Sequence, residues 1–359
     1  MAFLYRLRGK MSKLNKNFYD FDLTDWQQWC TRQDLPKFRA KQIFKWQNVG
    51  VKSAEELTDL SKELRKTLAA EFNFEPIKTL SVIRSQLDPV AKFLFLLADR
   101  QIIEAVLMHY DYGTTLCLTT QVGCRMGCDF CASAPLGLIR NLTSGELLAQ
   151  VTTIQRSEKT RISNIVLMGI GEPLDNYQNT VKFLRQVNHP DGLNISLRKI
   201  SLSTCGVVPM IYRFAEEKMP VTLSLSLHAS NQQIREQLMP VAKQYDIDKV
   251  LRAVDDYFEV TGRRVTYEYA LFHGINDSEE QARQLSSLLN YHRGHINLIP
   301  ANPVPGKTFS RSPQQVADRF KQILERDGYA VTIRKSMGKD IEAACGQLRR
   351  QAMEEQCSI

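Results

Sequence analysis

The period of apolar positions changes twice along the chain. The first eighty or so residues read as short helices. Pro36 precedes a segment from Lys37 to Trp46 in which Phe38, Ile43, Phe44 and Trp46 share space with the cations Lys37, Arg39, Lys41 and Lys45. Ser53-Ala-Glu-Glu56 has the spacing of a capping box, in which a serine hydroxyl and a glutamate three residues on close each other's backbone donors. These features predict a small helical module with a basic face. From about Leu80 to Thr120 the chain turns to short apolar runs, Val90 to Leu97, Gln101 to Met108 and Thr114 to Thr119. They predict strands, the first two as a hairpin. After Gly123 strand-like and helix-like segments alternate. Strands are predicted over 162–168, 199–203, 221–227, 264–271, 296–299 and 331–335, with helices between them such as 144–156, 245–261, 278–291 and 313–326. A run of βα units predicts a parallel sheet or a full or partial barrel, with ligands gathered beyond the C-terminal ends of the strands.

Composition narrows the class. A chain of 359 residues, 43% apolar and 24% charged, is long enough for one large core and an accessory domain without disulfides. No stretch approaches the roughly 18 uninterrupted apolar residues of a membrane helix, and Met1 to Lys16 is too basic and too briefly apolar for a signal peptide. A cytoplasmic location is expected. The net charge of +8 is concentrated in residues 1–50, where ten Lys or Arg face four Asp. Such an end suits a polyanion such as RNA, or is simply a solvated surface.

Three of the eight cysteines crowd together as Gly123-Cys124-Arg-Met-Gly-Cys128-Asp-Phe-Cys131. Structural zinc usually takes four ligands, often as two CxxC pairs, and no second pair or His pair accompanies this one. Three thiolates leave a shell incomplete. An iron-sulfur cube held by three cysteines keeps one iron open to S-adenosylmethionine, and CxxxCxxC with an aromatic before the last cysteine is a strong signal for that chemistry.

The segments Leu116 to Ala132, Met168-Gly-Ile-Gly-Glu-Pro173, Leu202-Ser-Thr204, Ser226-Leu-His-Ala229, Asn297-Leu-Ile-Pro300, Asn302-Pro303 and Asp340 to Leu348 closely resemble the RlmN and Cfr family of RNA adenine methyltransferases, over about residues 25 to 350. The stretch from Asn297 through Gly306 is more similar to the RlmN branch. The resemblance implies an α/β fold, a radical-SAM partial (β/α)6 TIM-like barrel with a small N-terminal helical accessory domain. The expected division is residues 1–80 as a basic RNA-binding module, 81–109 as a strand-rich connector carrying Glu104, 110–344 as the core barrel and 345–359 as a catalytic-cysteine loop and tail. The implied activity is methylation of adenine C2 at adenosine 2503 of 23S rRNA and adenosine 37 of certain tRNAs. One 4Fe-4S cluster with three cysteine ligands and two molecules of S-adenosylmethionine per turnover are implied, with an electron donor such as flavodoxin or ferredoxin and a monomeric enzyme.

Adenine C2 lies between two electron-withdrawing nitrogens and is no nucleophile, so the family uses a radical route. In it Cys345 carries a methyl group, Cys117 resolves the transient protein-RNA crosslink and ends in a disulfide with Cys345, and Glu104 accepts a proton. Taken alone, Cys345 reads equally as an inert thiol and Cys117 as a core cysteine. Glu104, in an apolar strand, is either on a solvated face or tuned for proton transfer. Cys124, Cys128 and Cys131 are the implied cluster ligands. Gly171 and Glu172 are implied to receive the amino group of S-adenosylmethionine, and Ser203, Ser226, Leu227, His228 and Asn302 to contact it further, His228 not as a metal ligand. Cys30 and Cys205 read as packing and Cys357 as tail. The alternatives are Cfr-type methylation at C8 and, from another class, a non-catalytic zinc-bound RNA-binding protein.

Overall fold

The structure is a computed structural model that describes residues 16–302, 304, 306–343 and 347. Its N-terminal module comprises β1 (Lys16–Asn17), α1 (Leu23–Arg32), α2 (Phe38–Val49), α3 (Lys62–Glu71) and β2 (Phe72–Asn73). Then come β3 (Ile77–Arg84), β4 (Val90–Leu97), β5 (Ile102–Tyr110) and β6 (Gly113–Cys117), followed by a short ribbon of β7 (Gln121–Gly123) and β8 (Leu138–Asn141). The remainder alternates α4 (Ser144–Glu158), β9 (Asn164–Leu167), α5 (Tyr177–Asn188), β10 (Ile200–Thr204), α6 (Val208–Glu216), β11 (Thr222–Ser226), α7 (Gln232–Leu238), α8 (Ile247–Thr261), β12 (Val265–Leu271), α9 (Glu279–Leu288), β13 (Gly294–Pro300), α10 (Gln314–Arg326) and β14 (Ala330–Ile333).

One sheet holds ten of these strands in the order β14-β13-β12-β11-β10-β9-β6-β5-β4-β3. Among the described strands of this sheet, every pairing from β6 to β14 is parallel, while β3, β4 and β5 extend the wall through successive antiparallel pairings, β5 onto β6. The result is a partial barrel of βα units. The segment expected as a connector is part of its wall, because β5 pairs with β6 along Val106 to Tyr110.

The strands alternate in a way that prepares a site. Leu202 of β10, Leu223 and Leu225 of β11, Tyr267 and Tyr269 of β12, and Ile296 and Leu298 of β13 are buried in the main apolar core. Their neighbours Ser201, Ser224, Thr266, Glu268, His295 and Asn297 line a cavity on the opposite, inner face. The barrel interior is therefore polar.

The N-terminal module is built on Phe18, Trp26, Trp29, Phe72 and Phe74, with Phe18 stacked on Phe74 at 4.2 Å. Asp22 caps α1 and Ser61 caps α3 by accepting from the Leu64 amide at 3.3 Å. The capping box expected at Ser53 does not form. That segment is a single 3-10 turn, and Glu56 instead accepts from the Lys52 amide at 3.0 Å and pairs with Arg156 at 2.7 Å. The module's core is continuous with that of the barrel. Among the described residues no helix is long and apolar enough to cross a membrane.

The junction is tight at the start of α4. The Gly145 amide donates to Asp20 at 2.8 Å, and a Cβ at position 145 would stand 2.5 Å from the Asp20 nitrogen. Gly145→Ala is expected to destabilise the protein by about 1–3 kcal/mol, the usual range for overpacking a close contact. Urea denaturation measures it; an unchanged midpoint would contradict this docking.

Candidate active site

The ribbon of β7 and β8 brackets the cysteine loop, with Val122 opposite Arg140 and Gly123 opposite Leu138. Within the loop the Cys124 amide donates to the Gly137 carbonyl at 3.0 Å and the Cys131 amide to the Cys128 carbonyl at 3.0 Å. Gly127 adopts φ +70°, a conformation that favours glycine. Cys124, Cys128 and Cys131 line one cavity of about 200 Å³ at the C-terminal ends of the strands. Burial, with smaller contributions from the charges of Glu172 and the neighbouring thiols, pushes the Cys124 thiol up to about 12 and that of Cys128 higher still. Thiols in such surroundings stay protonated unless a positive charge, such as a bound metal, compensates the thiolate.

Opposite the loop lies the turn after β9. The Gly169 amide donates to the Leu118 carbonyl at 2.9 Å, and a Cβ there would be 2.5 Å from that oxygen. Gly171 has φ +110°, and a Cβ would meet Thr120 and Gln121 at 2.7 Å. The two glycines thus let the turn lie directly on the chain that runs to the cysteine loop. Glu172 is buried, its carboxylate accepting from the amides of Cys205 at 2.8 Å and Leu174 at 3.1 Å. Burial pushes this carboxyl up, against the opposing pull of those amides.

Ser203 and Ser226, at the ends of β10 and β11, lie 3.3 Å apart through their hydroxyls and face the same cavity. His228 and Asn302 also line it. Leu227 does not face it with its side chain, which is buried in the main core, while its amide donates to the Glu268 carbonyl. The His228 Nδ1 accepts from the Ala270 amide at 2.9 Å, which leaves Nε2 to carry the proton. Phe130, the aromatic before the last cysteine, packs edge-on against the His228 ring at 5.0 Å.

A second cavity adjoins the first, and Ile299, Asn302 and Arg334 line both. It is walled by Val106, Met108, Cys117 and Ala343. The C-terminal segment is tied to the turn between β3 and β4 by Asp340, which accepts from the Ser85 hydroxyl at 2.7 Å, and by the Gly338 amide, which donates to Asp88 at 2.9 Å. Cys345, two residues beyond Ala343, and Cys357 lie outside the described residues. Strand register puts Lys92, Glu104, Val106 and Cys117 on one face: Lys92 stands opposite Val106, Leu94 opposite Glu104, and Val106 opposite Cys117. Glu104 is 1% exposed, so it is not on a solvated face.

Two family models cover much of the chain: residues 118–285 match the radical SAM superfamily, and residues 16–73 match the N-terminal domain of ribosomal RNA large subunit methyltransferases. The probable dual-specificity RNA methyltransferase RlmN of Alkaliphilus metalliredigens is 50% identical over 320 residues, 89% of this chain and 91% of that protein. Its counterpart from Bacillus pumilus is 45% identical over 355 residues, 98% of each chain. The chain belongs to the RlmN family. A crystal structure of a radical SAM methyltransferase from Sphaerobacter thermophilus superposes with a TM-score of 0.89 at 40% identity, covering 93% of this chain and 99% of that one.

RlmN-family membership in the radical SAM superfamily implies a 4Fe-4S cluster and S-adenosylmethionine. The donor set fits. The three thiols of the loop share one cavity. A cube spreads its thiolates over separate irons. Three residues of this region escaped the reading of the sequence. Cys205 is not mere packing: it lines the cavity and its amide holds Glu172, a place that its position after β10 could have signalled. Arg235 and Lys92 are charged yet fully buried, and nothing in their local sequence marks them.

Burial, with a smaller contribution from Arg235, lowers the His228 pKa from 6.5 to about 3. The unfolded chain binds this proton below about 6.5 and the folded chain only near 3, so His228 costs stability progressively as pH falls through that window. The His228 ring resonances are expected to stay those of a neutral imidazole from pH 8 to 5 by NMR. A midpoint near 6.5 would contradict the site as described.

Proposed function

We propose that this protein methylates C2 of adenine in RNA, at adenosine 2503 of 23S rRNA and adenosine 37 of certain tRNAs, with Cys345 as methyl carrier. The observation that carries the reading is the pair of adjoining cavities. One holds the three cysteines of the loop, Cys205, Glu172, Ser203, Ser226 and His228; the other holds Cys117 and is walled by Ala343, two residues from Cys345. The relatives' names, which describe dual-specificity RNA methyltransferases, support the same substrate class.

Cys124, Cys128 and Cys131 would hold the cluster, which with S-adenosylmethionine supplies the one-electron chemistry needed to activate a methyl group. The protein's own groups divide the remaining work. Glu172, beside Gly171, whose lack of a Cβ lets the turn lie against Thr120 and Gln121, is the anion for the amino group of S-adenosylmethionine. Ser203, Ser226 and Asn302 offer hydroxyl and amide partners. Neutral His228 offers an Nε2–H donor to the cavity without adding a charge. Leu227 contributes through its backbone, since its side chain is in the core.

Cys345 carries the methyl carbon, which would give up one hydrogen atom to the one-electron chemistry before it becomes bonded to C2; the adduct then returns one electron, and Glu104 takes the proton that C2 must lose. Glu104 is suited to this because it is buried on the face that bears Cys117, away from bulk water. Cys117 then releases the RNA and pairs with Cys345, so that a reductant must restore both thiols. A flavodoxin or ferredoxin would deliver electrons to the cluster.

RNA would lie across the N-terminal module and the mouth of the cavity. Lys37, just before α2, and Lys41 and Lys45 on it are exposed and accompany Phe38, which is 56% exposed and covered on one side by the Arg39 guanidinium at 4.8 Å. An exposed aromatic among cations offers both stacking and phosphate contacts. Because the module shares its core with the barrel, substitution tests this better than deletion. Changing Lys37, Lys41 and Lys45 together to Gln should weaken RNA binding and flatten its salt dependence by about 0.7–0.9 in slope per lost phosphate contact. An unchanged slope would show that this face is only solvated.

The roles of the two cysteines separate in variants. Cys117→Ala enzyme should purify with RNA covalently attached, and after nuclease digestion the peptide containing Cys345 should carry an adenosine and one carbon. Cys345→Ala enzyme should carry none. A bare peptide in the first variant, with undiminished methylation of RNA, would remove Cys117 from the mechanism.

A further inference from the structure

Arg235 is a full positive charge with no access to water. It lies on α7 and is 0% exposed. Its Nη2 donates to the Cys205 carbonyl at 2.7 Å and its Nη1 more distantly to the Tyr245 carbonyl at 3.5 Å, while Nε is buried with no hydrogen-bond partner. No ion pair to a carboxylate is formed by Arg235 among the described residues. An unpaired buried guanidinium is costly to fold around, and such charges persist where a counter-charge is at hand.

The surroundings identify where that counter-charge would be. α7 and the turn after it form the wall behind the cysteine loop: the Asp129 amide donates to the Leu238 carbonyl at 2.9 Å, and Cys128 packs against a group that includes Leu238 and Met239. The guanidinium is bonded to the backbone of Cys205, whose side chain lines the same cavity as Cys128. His228, also within its field, is neutral. Glu172, the carboxylate whose charge reaches these thiols, is already held by two backbone amides.

We propose that Arg235 is the resident counter-charge of the iron-sulfur cluster, a positioning residue that holds it against the wall at Cys128 and makes its reduction more favourable. This rests on the assignment of a cluster to Cys124, Cys128 and Cys131. A cube bearing three thiolates is already negative, and reduction adds one more electron in a site of low polarity. A fixed cation stabilises the reduced form more than the oxidised one, so removing it makes the reduction potential more negative. The carbonyls of Cys205 and Tyr245 hold the guanidinium without neutralising it.

The test is an anaerobic redox titration, followed by electron paramagnetic resonance, of full-length reconstituted protein and its Arg235→Met, Arg235→Gln and Arg235→Lys variants, with iron counted in each. At a fixed potential near the wild-type midpoint, the reduced-to-oxidised ratio should fall about tenfold or more in a cluster-loaded neutral variant. It should largely recover in Arg235→Lys, which keeps the charge. Loss of iron from both neutral variants with retention in Arg235→Lys would equally support the counter-charge. A wild-type midpoint in a loaded neutral variant, or loss of iron from all three, would overturn it. Absence of a cluster from the wild-type protein would instead sink the functional reading itself.

Discussion

The site depends on how closely the turn after β9 lies on the chain that leaves β6. Amides and carbonyls interlock there: Gly169 to Leu118, and Thr120 and Gln121 to Ile170. The Gln121 side chain accepts from the Glu172 amide at 2.8 Å, and Glu172 in turn holds the end of β10 through Cys205. Cys117 precedes this lock and Cys124 follows it by three residues, so one contact sets the position of the second cavity, the cysteine loop and the carboxylate together. Only glycine allows it, because a Cβ at 169 or 171 would fall well inside contact distance of the facing chain.

Around that lock the barrel handles charge in an uncommon way. Apolar side chains face outward to the helices, and serines, threonines, His295, Asn297 and Glu268 face inward. Glu268 accepts from the Asn297 amide at 2.8 Å and borders both the upper cavity and the one beneath it. The charges placed deepest have distinct settlements. His228 gives up its proton, Glu172 is held by amides, and Arg235 keeps its charge beside the thiols. These choices make a pocket that is polar in shape yet low in mobile charge, which suits one-electron chemistry shielded from water.

Much of this was legible in the sequence. The parallel strands are short apolar runs, and most predicted bounds agree with the observed ones within about two residues, as in β12 (Val265–Leu271) against 264–271. The CxxxCxxC spacing and the two glycines before Glu172 carry chemistry that local sequence can express. What local sequence could not express was depth. β3 has one buried residue and seven exposed ones, so its pattern lacks the alternation of a covered strand. Glu104 and Lys92 are buried on the inner face that register gives them with Val106, a consequence of strand pairing that their local sequence cannot state. α7 reads as a polar helix with two apolar residues in seven, and nothing in Gln232 to Leu238 reveals that Arg235 is the side chain turned inward. Leu227 was grouped with its pocket-facing neighbours, but strand alternation sends it to the core.

The central claim is that a methyl group reaches adenine C2 after passing through a protein thiol and losing one hydrogen on the way. The direct measurement uses S-adenosylmethionine with a fully deuterated methyl group, reconstituted enzyme already cleared of its unlabelled methyl, and an RNA fragment, followed by mass spectrometry of the product nucleosides. The account predicts 2-methyladenosine whose methyl group retains two deuteriums. A methyl group retaining all three, or a product methylated at C8, would contradict it.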